Sequence, residues 1–363
     1  MRPPFVETLI KRCALNDEDG QLLKYHGVER PETLHGFVTA FPSFAGGRFV
    51  ERREQLIGAV NDILDEPTRA EIYRIQKSPN RFAFGAAVPT ERTHLCSSEA
   101  PRSPIRESRI KLNTALPWPV RDQRPRGTCV AFGVSACLEF VQYHAGPVGE
   151  NLSEQFLYWA ARTMTDNPDP LDEKIWLRNA AKALREVGIC TDAVWPYQAG
   201  QSGAAVGPNP DARAIADAAT RKVELSRYYN KTCHSEPSCG VAALLVDCLK
   251  AGRPAAICLP VLKDASTPDD APTNWDWDDG QLYGIVADPL PEWIECGGHC
   301  VCVTGWEPDP TEPLGGFFIF RNSWGSDWAT RAPSTVEPRV PAPGYGRISA
   351  SHIEARCWEL ISF

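Results

Sequence analysis

One cysteine of this sequence stands where a helix is expected to begin. In the stretch QRPRGTCVAFGVSACLEF, residues 123–140, Cys129 follows a Gly-Thr turn and precedes an apolar run with helical periodicity. A helix N-terminus favours the thiolate, because the aligned peptide dipoles stabilise negative charge there. Cys129 is therefore a candidate nucleophile. The alternative is a buried core thiol, one of 13 cysteines in the chain.

A cysteine nucleophile also needs a base, a group that orients the base, and donors for the developing oxyanion. His299 is a candidate base in ECGGHCVCVTGW, where two glycines precede an alternating apolar strand. Asn322 follows a second strand-like run in GGFFIFRNSWGSDW. Gln123 stands six residues before Cys129, and its amide can donate to an oxyanion beside the Cys129 backbone N–H. Taken singly, His299 is also typical of a strand, Asn322 of a turn and Gln123 of the surface.

The order Gln–Cys–His–Asn, with its flanking residues, resembles the papain-like cysteine peptidases. In that family the glutamine also precedes the nucleophile by six residues, and Cys-x-Ala-Phe starts the central helix. Further segments are similar and follow in the family's order, among them NLSEQFLYW, GICTDAVWPY, GGHCVCVTGW, FFIFRNSWGSDW and GYGRIS. The resemblance spans about residues 110–363. It implies an α+β fold with two lobes, a helical lobe at about 106–217 and an antiparallel β-sheet lobe at about 218–363.

The resemblance also implies a role for each site residue. Cys129 would be the nucleophile, and His299 its ion-pair partner and general acid/base. Asn322 would orient the imidazole, Gln123 would donate to the oxyanion, and Trp324 would shield the hydrogen bond between His299 and Asn322 from water. The reaction implied is hydrolysis of a peptide bond through a thioester on Cys129, with a protein or peptide as substrate. It requires no metal and no organic cofactor.

Several positions depart from the family's pattern. Val130 stands where the family usually has tryptophan, and Arg126 stands in place of a cysteine, so the family's disulfide there cannot form. The family's Gly-Gly substrate-binding segment is replaced by a longer acidic region at 166–174. Insertions are expected at 198–217 and 263–280. Substrate preference therefore does not carry over.

Two other functions remain open at the level of sequence. A transferase or ligase would use the same thioester and pass the acyl group to an amine instead of water. A catalytically silent binding module would keep the papain-like scaffold without the catalytic activity. The presence of all four polar residues favours an enzyme.

A metal site is the alternative use of the densest Cys/His cluster, which comprises Cys296, His299, Cys300 and Cys302. The spacing C-x-x-H-C-x-C fits no common zinc pattern. Alternation along a strand would also send neighbouring side chains to opposite faces. We therefore expect no metal at this position.

The first 105 residues are predicted to form a separate regulatory or propeptide-like region. His35–Phe41 and Arg69–Ile75 are interpreted as strands and Glu51–Leu64 as a helix, which together indicate a small α/β unit. A polar stretch rich in Ser, Pro and Arg at 89–108 is interpreted as a linker. The papain-like family carries a propeptide of similar length that lies in the cleft, although its usual helix pattern is not found here. We expect this region to block the cleft, so that a chain starting near Ser108 is more active.

Composition limits the partners and the compartment. With 46 acidic and 38 basic residues the net charge is −8, so the chain has no basic footprint for nucleic acid. No apolar run approaches the ~18 residues of a membrane span, and the N-terminus has no secretory signal. The cysteines are scattered and contain no C-x-x-C pair, which is typical of reduced thiols. These features predict a cytoplasmic protein that binds neither membranes nor nucleic acids.

Overall fold

The computed structural model describes most of the chain. The residues it describes are 4–363 apart from 14, 26–27, 29, 41–47, 78–82, 90–102, 113–118, 146–149, 166–171, 200–208, 231–239, 291 and 333–341. The chain forms two compact units. The smaller unit comprises residues 1–81 and 262–296, and the larger unit comprises residues 82–261 and 297–363.

The N-terminal part of the smaller unit is helical. Its helices are α1 (Pro4–Arg12), α2 (Asp17–Tyr25), α3 (Pro31–Ala40), α4 (Arg53–Asn61) and α5 (Glu66–Lys77), with a 3-10 turn at Val50–Arg52. Residues 262–296 add the short helix Asp278–Tyr283 and pack into the same apolar core. The rings of Phe37 and Trp277, for example, lie 4.9 Å apart between centroids.

The two strands predicted in this region are wrong, because both stretches are helical. His35–Phe41 falls mostly in α3 and Arg69–Ile75 falls in α5. In α5 the buried residues Ile72 and Ile75 are three positions apart, while Tyr73 between them is exposed. A short run of apolar residues fits periods of 2 and 3.6 equally well, so alternation over seven residues could not separate the two. The strand–helix–strand interpretation of 35–75 therefore fails, and only the helix within 51–64 is confirmed, as α4.

The first part of the larger unit is mainly helical, as the sequence predicted, although its helices Val241–Lys250 and Ala350–Arg356 lie within the predicted β-sheet lobe. The helices of this part are α6 (Cys129–Ala145), α7 (Glu154–Thr163), α8 (Leu177–Glu186), α9 (Ala212–Ala219) and α10 (Val241–Lys250). Ser153 caps α7, since its Oγ accepts a hydrogen bond from the Phe156 N–H at 3.0 Å. Gly188 follows α8 at φ +93°, a left-handed conformation that favours glycine after a helix.

The chain also forms a seven-stranded sheet, whose first strand precedes these helices along the sequence. Its strands are β1 (Ile110–Lys111), β2 (Arg227–Asn230), β3 (Ala255–Asp264), β4 (Trp293–Pro308), β5 (Gly316–Arg321), β6 (Tyr345–Ser349) and β7 (Glu359–Ser362). The order is β2-β7-β3-β4-β5-β6, and β1 pairs with β4. The pairs with a defined register are antiparallel. β4 carries His299, and β5 ends one residue before Asn322, so one pair of neighbouring strands presents both side chains.

Residues 121–123 connect the helices to this sheet. The Gln123 N–H donates to the Ser323 carbonyl at 2.8 Å, and the Gly325 N–H donates to the Arg121 carbonyl at 3.0 Å. The Arg121 side chain points to the helices and forms ion pairs with Glu139 of α6 at 2.6 Å and Glu154 of α7 at 2.5 Å. Both carboxylates are fully buried. Burial raises the pKa of Glu154 to about 8, although Arg121 opposes this change.

We expect Arg121→Met to lower the free energy of unfolding by about 3–5 kcal/mol, because it leaves two buried carboxyl groups without their cation. Urea unfolding followed by circular dichroism at pH 7 measures the change. Arg185→Met is the matched control, since the Arg185 side chain is 55% exposed and its loss should cost less than about 0.5 kcal/mol. Equal stability of the two variants would contradict a structural role for the buried cluster.

Candidate active site

Cys129 is the first residue of α6, and its side chain is fully buried. The preceding turn is held from two sides. The Thr128 hydroxyl and the Tyr197 hydroxyl are 2.8 Å apart, and the Gly127 N–H donates to the Glu173 carboxylate at 2.6 Å. Tyr197 also donates to the Gln123 carbonyl at 2.8 Å. The cysteine therefore begins its helix from a turn with a defined backbone conformation.

Arg126 provides a noncovalent tie where the family has a disulfide. Its guanidinium is buried and donates through Nη1 to the side chain of Gln155 at 2.8 Å and to the carbonyl of Gln198 at 3.0 Å. The guanidinium carbon also lies 5.1 Å from the ring centroid of Tyr197 and 5.5 Å from that of Tyr158, within the range of cation–π attraction. The turn before Cys129 is thereby anchored to α7.

His299 and Asn322 form a hydrogen-bonded pair, with 2.8 Å between Nε2 and Oδ1. The Asn322 oxygen also accepts from the Ser323 N–H at 2.8 Å, so Oδ1 acts as an acceptor and His299 donates from Nε2. Nδ1 is then the basic nitrogen of the ring. The Trp324 ring stacks on the imidazole with centroids 4.7 Å apart and an interplanar angle of 27°. Burial lowers the pKa of His299 to about 4, and the bond to Asn322 opposes this.

Gln123 joins the same network through both ends of its amide. Its Oε1 accepts from the Ser323 hydroxyl at 2.5 Å, and its Nε2 donates to the carbonyls of Arg126 at 2.7 Å and Ala83 at 2.8 Å. The amide is therefore oriented with its donor toward backbone carbonyl oxygens. A group that donates to a carbonyl oxygen is also able to donate to an oxyanion at that position.

The structure joins four of the sequence-predicted residues in one network, namely Gln123, His299, Asn322 and Trp324. Cys300, the residue after His299, packs against α6, since a Cβ on Gly133 would lie 3.0 Å from the Cys300 sulfur. Ser323 contacts both Asn322 and Gln123, and Trp324 follows directly. Among the residues that the structure describes, no group of three or more His, Cys, Asp and Glu side chains is arranged to hold a metal ion.

A short segment at 83–89, which the sequence did not predict, covers this site. The Gly85 N–H donates to the Cys129 sulfur at 3.3 Å. The Phe84 ring packs edge-on against His299 and Trp324, with centroids 5.8 Å from each. The only sequence signal is the run of small residues in FAFGAAVP, which contains no group that does chemistry.

Backbone hydrogen bonds hold the segment in the cleft. The Ile175 N–H donates to the Gly85 carbonyl, the Ala87 N–H to the Ile175 carbonyl and the Ala86 N–H to the Gly298 carbonyl, each at 3.0 Å. The bridge between Ala86 and Ile175 is parallel. A Cβ on Gly85 would lie 1.8 Å from the Gly127 carbonyl oxygen, so only glycine fits at this closest approach.

The covered site holds both reactive groups in their neutral forms. Burial raises the pKa of Cys129 to about 12, and Cys300 adds to this, while backbone N–H groups of Gly85, Cys300 and Ala86 oppose it. Burial shifts the pKa of His299 in the opposite direction, downward. With the segment in place, the thiol is protonated and the imidazole is uncharged at neutral pH.

Comparison with known proteins supports the fold. No protein-family model matches the chain, and no curated protein does. The solved structure of xylellain, a cysteine protease from Xylella fastidiosa, is similar at a TM-score of 0.54 and 19% identity, over 79% of this chain and 97% of that one. Procathepsin L 3 from the larval midgut of Tenebrio molitor has a TM-score of 0.46 at 17% identity, over 94% of this chain and 98% of that one. Bromelain from Ananas comosus has a TM-score of 0.42 at 18% identity, over 70% and 97%.

The chain therefore has the mixed helical and antiparallel-sheet fold of the papain-like cysteine proteases, as the sequence predicted. At this level of identity the likeness establishes the fold alone. No helix within the described residues combines the length and the apolar character that crossing a bilayer requires.

Alkylation of Cys129 by iodoacetamide should report whether segment 83–89 covers the thiol. In the wild-type chain the rate should rise about tenfold per pH unit from pH 7 to 10, because a thiol with its pKa near 12 gains thiolate throughout that range. Gly85→Leu cannot keep the close approach to Gly127. We expect it to raise the rate at pH 7.5 at least tenfold, since uncovering Cys129 improves access and lowers its pKa.

Peptide mass spectrometry, which separates Cys129 from the other thiols, provides this measurement. Gly58→Leu is the matched control, because a Cβ at Gly58 of α4 has no neighbour within 4 Å. If wild type and Gly85→Leu reacted equally with Cys129, the segment would not cover the thiol in solution.

Proposed function

We propose that this chain is a cysteine peptidase that hydrolyses peptide bonds through a thioester on Cys129. The observations that carry the proposal are the pair of His299 and Asn322, stacked under Trp324, and a buried thiol at the N-terminus of α6. This combination supplies a nucleophile, an oriented base and a shield for the bond that orients it. The xylellain-like fold supports the same class of reaction.

In the proposed reaction, the thiol of Cys129 transfers its proton to Nδ1 of His299 and attacks the scissile carbonyl carbon. The oxyanion accepts hydrogen bonds from the Gln123 amide and the Cys129 backbone N–H. The imidazolium of His299 then protonates the leaving amine, and the thioester forms. Water, deprotonated by His299, hydrolyses the thioester and regenerates the thiol.

Asn322 keeps the imidazole of His299 in the tautomer that the proposed reaction needs. Because Nε2–H donates to Asn322, the lone pair of His299 is on Nδ1. The stacked Trp324 excludes water from that bond, which keeps it strong. Neither residue exchanges a proton in the proposed reaction.

We further propose that residues 83–89, within the predicted regulatory region 1–105, keep the enzyme inactive. Three features of the segment support this. The Ala83 carbonyl accepts a hydrogen bond from the Gln123 amide, and the Gly85 N–H lies against the Cys129 sulfur. The backbone bridge between the segment and Ile175 is parallel. The Gly85 carbonyl is bound by the Ile175 N–H instead of by the oxyanion donors. Cleavage of this segment by its own site is therefore disfavoured.

The first activity prediction concerns the catalytic residues. Cys129→Ala should abolish cleavage of an unstructured protein such as casein, and His299→Ala should reduce it at least about 10²–10⁴-fold, because proton transfer loses its partner. Cys137→Ala is the matched control, since Cys137 is a buried thiol two turns further along α6 and should leave cleavage unchanged. Activity is measured in the Gly85→Leu background, with circular dichroism to verify folding. An active, folded Cys129→Ala chain would refute the peptidase proposal.

The second activity prediction concerns the covering segment. Gly85→Leu should cleave a peptide substrate at least tenfold faster than wild type, whereas Gly58→Leu should match wild type. The physical reason is displacement of the segment from Cys129 and Gln123. Equal rates for all three chains, with Cys129 shown to be essential, would refute inhibition by the segment.

The thioester leaves the acceptor open, so the same assay should include a free amine such as glycinamide. Under the peptidase proposal the products remain free carboxylic acids. An amide product as the main species would identify a transferase. The ten cysteines that the structure describes are free thiols, and the cytoplasmic compartment stays a prediction.

A further inference from the structure

The side chain of Ala86 fills a closed pocket beside the candidate site. Ala86 is fully buried and belongs to the same apolar cluster as Cys129, Ile175 and Trp358. Its backbone is held on one side by Gly298 and on the other by Ile175. The pocket therefore lies one residue away from the place where Gly85 meets the Cys129 sulfur.

Trp358 lies beside this pocket. A Cβ placed on Gly298 would lie 2.5 Å from the Ala86 carbonyl oxygen and 3.0 Å from Cη2 of the Trp358 ring, so the ring is adjacent to the Ala86 backbone. Trp358 is 2% exposed, and its backbone N–H donates to the Cys258 carbonyl of β3 at 3.2 Å. A buried indole whose backbone is anchored in this way cannot move aside without opening the apolar core.

We infer that this pocket selects a substrate residue with a small side chain, glycine, alanine or serine, and that Trp358 sets the limit. This inference rests on the proposed peptidase function. A pocket that buries a methyl group completely has no room for the three further carbons of leucine, because close-packed interiors tolerate little added volume. A pocket recognises the shape of a side chain in whichever direction the backbone runs, so it applies to a substrate as well as to Ala86.

The first arm of the test needs no catalysis and uses the full chain. Ala86→Leu should raise the rate of Cys129 alkylation by iodoacetamide at least tenfold at pH 7.5, since leucine cannot enter the pocket and the segment leaves the cleft. Ala87→Leu is the matched control, because Ala87 is only half-buried and its side chain alternates to the other side of the segment. Adding Trp358→Ala to Ala86→Leu should return the rate toward wild type, because the cavity accepts the leucine.

If Trp358→Ala does not fold, Trp358→Phe makes a smaller cavity and should restore part of the protection. An Ala86→Leu chain that folds and reacts as slowly as wild type would overturn the inference, whatever the Trp358 variants do.

The second arm measures specificity with the Gly85→Leu chain, in which the cleft is open, and a library of peptides. One position next to the residue at the cut should prefer glycine, alanine or serine over leucine and phenylalanine by at least about tenfold in kcat/KM. Trp358→Ala should remove the preference at that position and leave the other positions unchanged. Cleavage without such a preference overturns this inference alone, whereas absence of any Cys129-dependent cleavage overturns the proposed function.

Discussion

The pairing of residues 121–123 with residues 323–325 is the interaction on which the site depends. The Ser323 carbonyl accepts a hydrogen bond from the Gln123 N–H. The Ser323 hydroxyl donates to Oε1 of Gln123, and the Ser323 N–H donates to Oδ1 of Asn322. Gln123, the proposed oxyanion donor, and Asn322, the partner of His299, are therefore held by one residue. Arg121, two positions before Gln123, ties the same strand-like segment to α6 and α7 through buried carboxylates. This short stretch holds the helix that begins at Cys129 against the strands that carry His299 and lead to Asn322.

Burial has opposite consequences for the two halves of the site. Exclusion of water strengthens the bond between His299 and Asn322 under the Trp324 ring. The same exclusion raises the pKa of the Cys129 thiol and lowers that of His299, so the charged pair is disfavoured while segment 83–89 is present. In the proposed mechanism, the site must therefore be dry to orient the base His299 and must be opened to charge the nucleophile Cys129.

The departures from the papain-like pattern have local physical substitutes. Arg126 connects the turn before Cys129 to α7 through hydrogen bonds and tyrosine rings, where the family uses a disulfide. The acidic region that replaces the Gly-Gly segment provides Glu173 as an acceptor for the Gly127 N–H. Ile175 pairs with the covering segment through its backbone alone, so this pairing does not require glycine there.

The sequence by itself predicted the papain-like fold and the helix that starts at Cys129, and it proposed His299, Asn322, Gln123 and Trp324 as a set. These predictions follow from the resemblance of local motifs to the papain-like pattern, which a single sequence is enough to show. It could not separate helix from strand in the N-terminal region, because a few apolar residues satisfy both periods until packing selects one. Only the tertiary structure decided that segment 83–89 lies on Cys129. That contact joins residues 44 positions apart through backbone hydrogen bonds, and backbone groups are the same in every residue except proline, so no side-chain pattern records it.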